Sequence, residues 1–365
     1  MTHGRLSTRI CELFGIEYPV IQTGMGWVSG ARLTAATSAA GGLGILAGVT
    51  MTLPELETSV RKVRERTDKP FGVNLRADQA DMDARIDLMV REGVKVASFA
   101  RAPGAKVISK FKDAGILTMP TVGARRHAEK VLAMGVDAII AQGGEGGGHT
   151  GTVPTSLLLP EVCDAVDIPV LGAGGFSSGR GLVAALAYGA EGIAMGTRFL
   201  LTKESRVPED VKQTYLGTPV TGTVVTTAVD GYPQRVVRTA VVDALERAGW
   251  WTAPFRAARY ALEFRKLTGT PVYDLWREAM HMKKNSRLTW AQTAMAANAP
   301  MLTRAALVDG KQGAGILPTG QVVGVIEALP TVAELIASIM DEADTVLTGL
   351  THPVAHLAAP QESSP

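Results

Sequence analysis

The sequence predicts an α/β fold, a (β/α)8 TIM barrel with a smaller inserted α/β domain. Three observations carry that prediction. Eight short apolar, β-branched runs recur before residue 200, amphipathic segments separate them, and the alternation stops after about residue 215. Apolar strands alternating with amphipathic helices imply a parallel sheet covered on its outer face. Eight such units close a barrel.

The runs begin at Pro19 (PVIQTGM), Gly42 (GLGILAG), Pro70 (PFGVNL), Val94 (VKVASFA), Ile116 (ILTMPTV), Asp137 (DAIIAQG), Pro169 (PVLGAGG) and Gly192 (GIAMGTRF). Their spacing of roughly 20 to 30 residues is the length of a strand, a loop and a helix. Between them, Leu53–Thr67 (LPELETSVRKVRERT) sets apolar positions at helical spacing opposite a polar face. The rival is a doubly wound open sheet, with G-x-G-x-x-G after its first strand and an acidic residue closing its second. Here Gly24 and Gly26 are followed by Ser29, Gly172 and Gly174 by Ser177, and no acidic residue follows "ILAG". The barrel is the better fit.

The barrel is expected over residues 1–215. Residues 216–312 read as the insert: a β-like piece (GTVVTTAVDGYPQRVVRT), then a helical stretch with four of the five tryptophans. Residues 313–350, which contain Gly315–Pro330 (GILPTGQVVGVIEALP), return to complete the barrel, and 351–365 form a tail.

Composition narrows the function classes. Of 365 residues, 46% are hydrophobic and 20% charged, an ordinary globular balance, and 37 basic against 35 acidic residues leave a formal charge of +2. Near-neutrality argues against a general nucleic-acid binder. No uncharged run reaches the ~18 residues of a membrane span, and the first ten residues hold no apolar leader core. A cytoplasmic protein is expected. Cys11 and Cys163 give neither a metal-ligand spacing nor a disulfide framework. The oligomeric state stays open, a homo-oligomer included.

In a βα barrel the chemistry sits at the C-terminal ends of the strands. The first run ends in Thr23, Gly24 and Met25, the third in Asn74, the sixth in Gln142, the seventh in Gly174 and Gly175, and the eighth in Met195, Gly196 and Thr197. Glycine-rich loops after strands seven and eight are a common phosphate site in such barrels, where backbone N–H groups face the anion. Tight turns alone would use the same glycines, but their occurrence at both matching strands favours phosphate. Amide side chains on other strand ends both donate and accept, which suits the edge of an isoalloxazine ring. The candidate cofactor is therefore FMN.

These segments, "QGGEGGGH" after strand six, "AGG" after seven, "MGTRF" after eight and a later "GQ" at Gly320–Gln321, resemble the nitronate monooxygenase (2-nitropropane dioxygenase) family of FMN-binding βα barrels. The resemblance covers Tyr18 to about Leu200 and the 315–330 return. It implies FMN held at positions including Met25, Asn74, Gln142, Gly147, Gly174, Gly175, Gly196, Thr197 and Gln321, and a catalytic histidine at His149. "QTGMGWVSGARL", "DKPFGVNLRAD" and "LTWAQTAMAANAPML" are similar to a branch acting on a hydroxy-indane carboxyl-CoA thioester in steroid ring breakdown. Many nitronate monooxygenases have "QAPM" where this chain has "QTGM".

The branch implies α,β-desaturation of an acyl-CoA, with NAD(H) as co-substrate. Nitronate oxidation with O2, NADH-dependent enoyl-thioester or quinone reduction, and flavin binding without turnover are the alternatives. His149 stands among five glycines within residues 141–150. They let a loop fold beneath a flat ring and leave room for substrate. Of the other histidines, His3, His352 and His356 fall near the chain ends and His127 and His281 at helix-like positions. Between residues 251 and 290 eight basic residues face three acidic ones, an excess suited to CoA phosphates or to a solvated helix face.

Overall fold

The computed structural model describes residues 6–77, 79–247 and 301–351. Each of the eight apolar runs forms a barrel strand: β1 (Val20–Gln22), β2 (Leu43–Leu46), β3 (Phe71–Leu75), β4 (Val96–Phe99), β5 (Leu117–Val122), β6 (Ile139–Gln142), β8 (Val170–Ala173) and β9 (Ile193–Met195). A two-residue strand, β7 (Gly148–His149), stands outside the barrel. The barrel strands pair in parallel in chain order, and β9 closes on β1 with Val20 opposite Ile193. Closure leaves no exposed sheet edge. This is the (β/α)8 barrel the sequence predicts.

The barrel is filled by Ile21, Ile45, Val96, Met119, Ile140, Leu171 and Ala194, joined by Ile10 and Phe14 of the first helix, Arg9–Phe14. That helix is fastened by Arg9, which pairs with Glu191 at 2.6 Å and donates to the Asp167 carbonyl at 2.9 Å. Both partners precede their strands, β9 and β8. The helix therefore plugs the N-terminal end of the barrel.

The outer helices follow from local sequence. Leu53–Arg64 starts in a capping box between Thr52 and Glu55, buries Leu56, Val60 and Val63 at spacings of four and three, and ends in Arg61, Lys62 and Arg64 against its negative pole. The last helix, Val332–Thr351, buries Leu335, Ile336, Ile339 and Met340. It docks on helix Gly179–Ala187, where the Glu342 carboxylate accepts from the Gly179 N–H at 2.7 Å. No described helix is long and apolar enough to cross a membrane. Burial pushes up the Cys163 thiol, to about 11, and raises Cys11, so both stay protonated near neutrality.

One glycine fixes how closely helix Ala31–Ala39 meets β2. A Cβ on Gly44 would lie 2.0 Å from the Thr34 carbonyl oxygen, a backbone atom that cannot turn aside. Gly44→Ala is expected to cost about 2–3 kcal/mol by overpacking, seen as a melting temperature lower by about 5–10 °C.

After the barrel, the β-like piece forms β10 (Thr223–Thr226) and β11 (Gln234–Val237), antiparallel, and β11 pairs on with β7. The return segment continues that edge through a bridge from Val236 to Pro318. Val229, Val236, Val242, Leu245, Leu302 and Ile316 pack a satellite core beneath it. Four tryptophans and the whole basic run expected of the insert lie outside the described residues.

Candidate active site

The loop after β6 is where the sequence concentrates its chemistry, and the structure shows how it is held. Gly143 abuts Thr155: a Cβ there would lie 2.0 Å from the Thr155 hydroxyl. Glu145 accepts from the Thr155 N–H at 3.0 Å and hydroxyl at 2.7 Å, capping helix Thr155–Cys163. The capping carboxylate sits at the helix's positive pole. Arg235 of β11 donates to the Gly144 carbonyl at 2.9 Å and to the Thr223 hydroxyl at 3.0 Å. Burial holds the Arg235 guanidinium below its ordinary range, against the opposing charge of Glu145. The loop is thus rigid at its base, and at Gly148 (φ 65°) it turns into β7 with open space around it.

His149 stands on β7 opposite Gln234, so a strand rather than bare loop presents it. Its side chain is 63% exposed, while its Nε2 lies 2.6 Å from Oδ2 of Asp230, whose side chain is only 7% exposed. The other oxygen, Oδ1, accepts from the Tyr232 N–H at 3.0 Å. Burial alone would raise the Asp230 carboxyl; its bonds to His149, the Tyr232 N–H and Gln234 overcome that and hold it below the usual carboxylate range. An ionised Asp230 fixes the imidazole: Nε2–H donates to it, and Nδ1 keeps a lone pair. Tyr232 meets the imidazole edge-on at 6.1 Å, and the Arg101 guanidinium lies over the Tyr232 ring at 5.3 Å.

The sign of that shift sets a pH dependence. A depressed folded-state value contributes stability that is fully present above the unfolded aspartate's pKa of about 3.9 and is lost as pH falls through the lower folded value. Acid unfolding followed from pH 6 downward is therefore expected to be shallower in Asp230→Asn than in the native protein.

The other candidate residues gather at the same end. A Cβ on Gly24 would lie 2.2 Å from the Asn74 Cβ, so the first and third strand ends touch. Asn74 is buried and its Nδ2 donates to the Ser98 carbonyl at 3.3 Å. The Thr23 N–H and hydroxyl both reach the Met195 carbonyl, and a Cβ on Gly196 would meet the Thr23 hydroxyl at 3.3 Å and the Met25 sulfur at 3.4 Å. Gln142 donates through Nε2 to the His149 carbonyl at 2.9 Å, tying the sixth strand to β7.

The return segment locks these pieces together. The Gly320 N–H donates to the Thr197 hydroxyl and the Gln321 N–H to the Glu145 carbonyl, each at 2.9 Å. Gly147 lies directly against Thr319 and Gly320. Gly174 and Gly175 hold φ of 94° and 81°, values that favour glycine, and the nearest atom to a Gly175 Cβ would be 3.9 Å away. Among the described residues the N–H groups of Gly175, Phe176 and Gly196 have no backbone acceptor.

Asp230, Tyr232 and Arg235 are not among the residues picked out from the sequence. Asp230 precedes Gly231 (φ 85°) between two β-like runs. Asp-Gly in that setting reads as a hairpin turn, which hides a carboxylate role. Only the pairing of β11 with β7 brings it to His149.

Comparison with known proteins agrees with the barrel fold. Residues 7–342 match the family described as nitronate monooxygenase. The chain is 56% identical over 351 residues to a protein of Mycobacterium tuberculosis (strain ATCC 25618 / H37Rv), covering 95% of this chain and 97% of the relative. It is 55% identical over 338 residues to one of Rhodococcus jostii (strain RHA1), covering 93% and 96%. Both relatives are named (3aS,4S,5R,7aS)-5-hydroxy-7a-methyl-1-oxo-octahydro-1H-indene-4-carboxyl-CoA dehydrogenase. Among solved structures, FabK from Thermotoga maritima superposes with a TM-score of 0.74 at 32% identity, covering 94% of this chain and 98% of that one.

Proposed function

The chain belongs to the nitronate monooxygenase family and is an oxidoreductase, and from that premise we propose that it desaturates a bicyclic, indane-type carboxyl-CoA thioester between its α and β carbons. The observation that carries the reading is the His149–Asp230 pair: a solvent-facing imidazole whose second nitrogen is fixed by a buried carboxylate, on a rigid strand beside the barrel mouth. That arrangement suits removal of a proton α to a carbonyl. The two relatives that share more than half of their residues with this chain, over nearly its full length, are named for such a thioester.

The site fits FMN. The N–H groups of Gly175, Phe176 and Gly196, without a backbone acceptor among the described residues, suit a phosphate, as does the open space at Gly175. Thr23, Gly24, Met25, Asn74 and Met195 would line the first-strand side of the ring, with Gln142, Gly147, Gly174, Thr197 and Gln321 on the sixth-strand side. When bound, FMN supplies a two-electron acceptor for the β-hydride, and NAD⁺ is the proposed final oxidant. His149 Nδ1 takes the α-proton, and Asp230 stabilises the imidazolium that results. Gln142 holds the His149 carbonyl and so the direction of β7. Glu145 carries no proton in this scheme; its carboxylate is committed to the helix cap.

The test is an anaerobic titration of the purified yellow protein with the hydroxy-indane carboxyl-CoA, following visible absorbance and product. Bleaching with formation of an unsaturated thioester is expected. No bleaching, together with oxygen-dependent turnover of an alkyl nitronate, would overturn the reading in favour of the reaction that names the family.

A further inference from the structure

Among the described residues Trp27 is the only residue other than glycine with a positive φ, 67°. A bulky aromatic in the left-handed region persists only where its surroundings over-determine it, and such residues cluster at ligand sites. The surroundings here are two arginines. Arg206 donates through Nε to the Trp27 carbonyl at 2.5 Å, and the Arg304 guanidinium lies over the indole at 5.6 Å. Arg206 runs past Gly30, where even a Cβ would leave 3.7 Å to its Cδ. The Trp27 N–H reaches the Thr50 hydroxyl at 3.4 Å.

Among the described residues neither guanidinium has a carboxylate within ion-pair distance. Glu55, the acidic group that acts on Arg206, is bonded to Thr52 in a helix cap. Surrounding chain and then the charge of Arg304 hold Arg206 below its ordinary range, although its side chain keeps solvent-facing surface. Two like charges converging on one aromatic ring, with no carboxylate partner among the described residues, make a receptor for an external anion. Guanidinium forks match phosphate oxygens in pairs.

We propose that Arg206 and Arg304, gathered by Trp27, form a subsite for the adenosine 3′,5′-bisphosphate end of the CoA thioester. This deepens the acyl-CoA reading and rests on it. Trp27 follows β1, while His149 stands beyond β6, with β9 and β8 between them round the barrel. The long pantetheine arm of CoA is what such a separation calls for, with the acyl end at His149 and the phosphates at Trp27. NAD⁺ shares the adenosine diphosphate but lacks the 3′-phosphate, which separates the two sources.

The test uses flavin-loaded protein and calorimetric titration with adenosine 3′,5′-bisphosphate, ADP and NAD⁺. The bisphosphate is expected to bind about tenfold more tightly than ADP or NAD⁺, from one more charged hydrogen-bonded contact. Arg206→Met and Arg304→Met should each weaken it about tenfold, Arg206→Lys less, and the outer-face control Arg126→Met not at all. Native affinity in both methionine variants, with native melting curves, would overturn the proposal. So would ADP and NAD⁺ binding as tightly as the bisphosphate, which would mark a dinucleotide site. Flavin bleaching by the thioester is read separately: bisphosphate binding without bleaching would sink the desaturase reading and leave the anion subsite standing.

Discussion

His149→Ala is expected to lower the rate of thioester desaturation by about 10²–10⁴-fold, the usual worth of a positioned general base, while flavin content stays native. Asp230→Asn should approach the same loss, up to about 10⁴-fold, because an amide lets the imidazole take the wrong tautomer. Both expectations rest on the 2.6 Å contact between Nε2 and Oδ2, with the carboxylate buried and the imidazole open to solvent. A side chain whose only role was structural would change stability and leave the kinetic split alone. The distinguishing readout is therefore kcat against KM: both variants should lose kcat with KM little changed. Full turnover by a flavin-loaded His149→Ala protein would remove the histidine from the mechanism.

Gly147→Ala is expected to release the flavin. Its new Cβ would lie 2.4 Å from the Thr319 carbonyl carbon and 2.5 Å from the Gly320 nitrogen, so main chain must move. Moving it breaks the bonds from Gly320 to Thr197 and from Gln321 to Glu145 that close the return segment over the site. The cost is about 1–3 kcal/mol of overpacking, and FMN affinity should fall about tenfold or more if that energy is spent on the bound state. Gly148→Ala is the contrast: nothing lies within 4 Å of its Cβ, and only its φ of 65° resists the change. Its effect should stay near the 1–2 kcal/mol of a left-handed residue, without loss of flavin. The ratio of visible to ultraviolet absorbance after gel filtration measures both. Native flavin content in Gly147→Ala would show that the return segment is not part of the cradle.

Much of the barrel was legible because its signal is local. Each strand from β1 to β9 outside β7 is a short β-branched run, and each lies where periodicity and the flanking turn residues place it. The glycines and amides of the strand ends could be found the same way, since chain order alone assigns them to one end of the barrel. Glu145 illustrates the middle ground: its place in the loop was plain, but its bonds to Thr155 depend on how the next helix begins.

The sequence by itself determined the barrel and singled out His149 as a candidate, because hydrophobic period and glycine placement act over a few residues. Tertiary structure alone decided what His149 can do. Its partner Asp230 is 81 residues away in the chain, and β11 must pair with β7 before the two meet. The same holds for Trp27 and Arg206, joined across 179 residues. No periodicity records such contacts, because they arise from the closing of the barrel and the docking of its return segment.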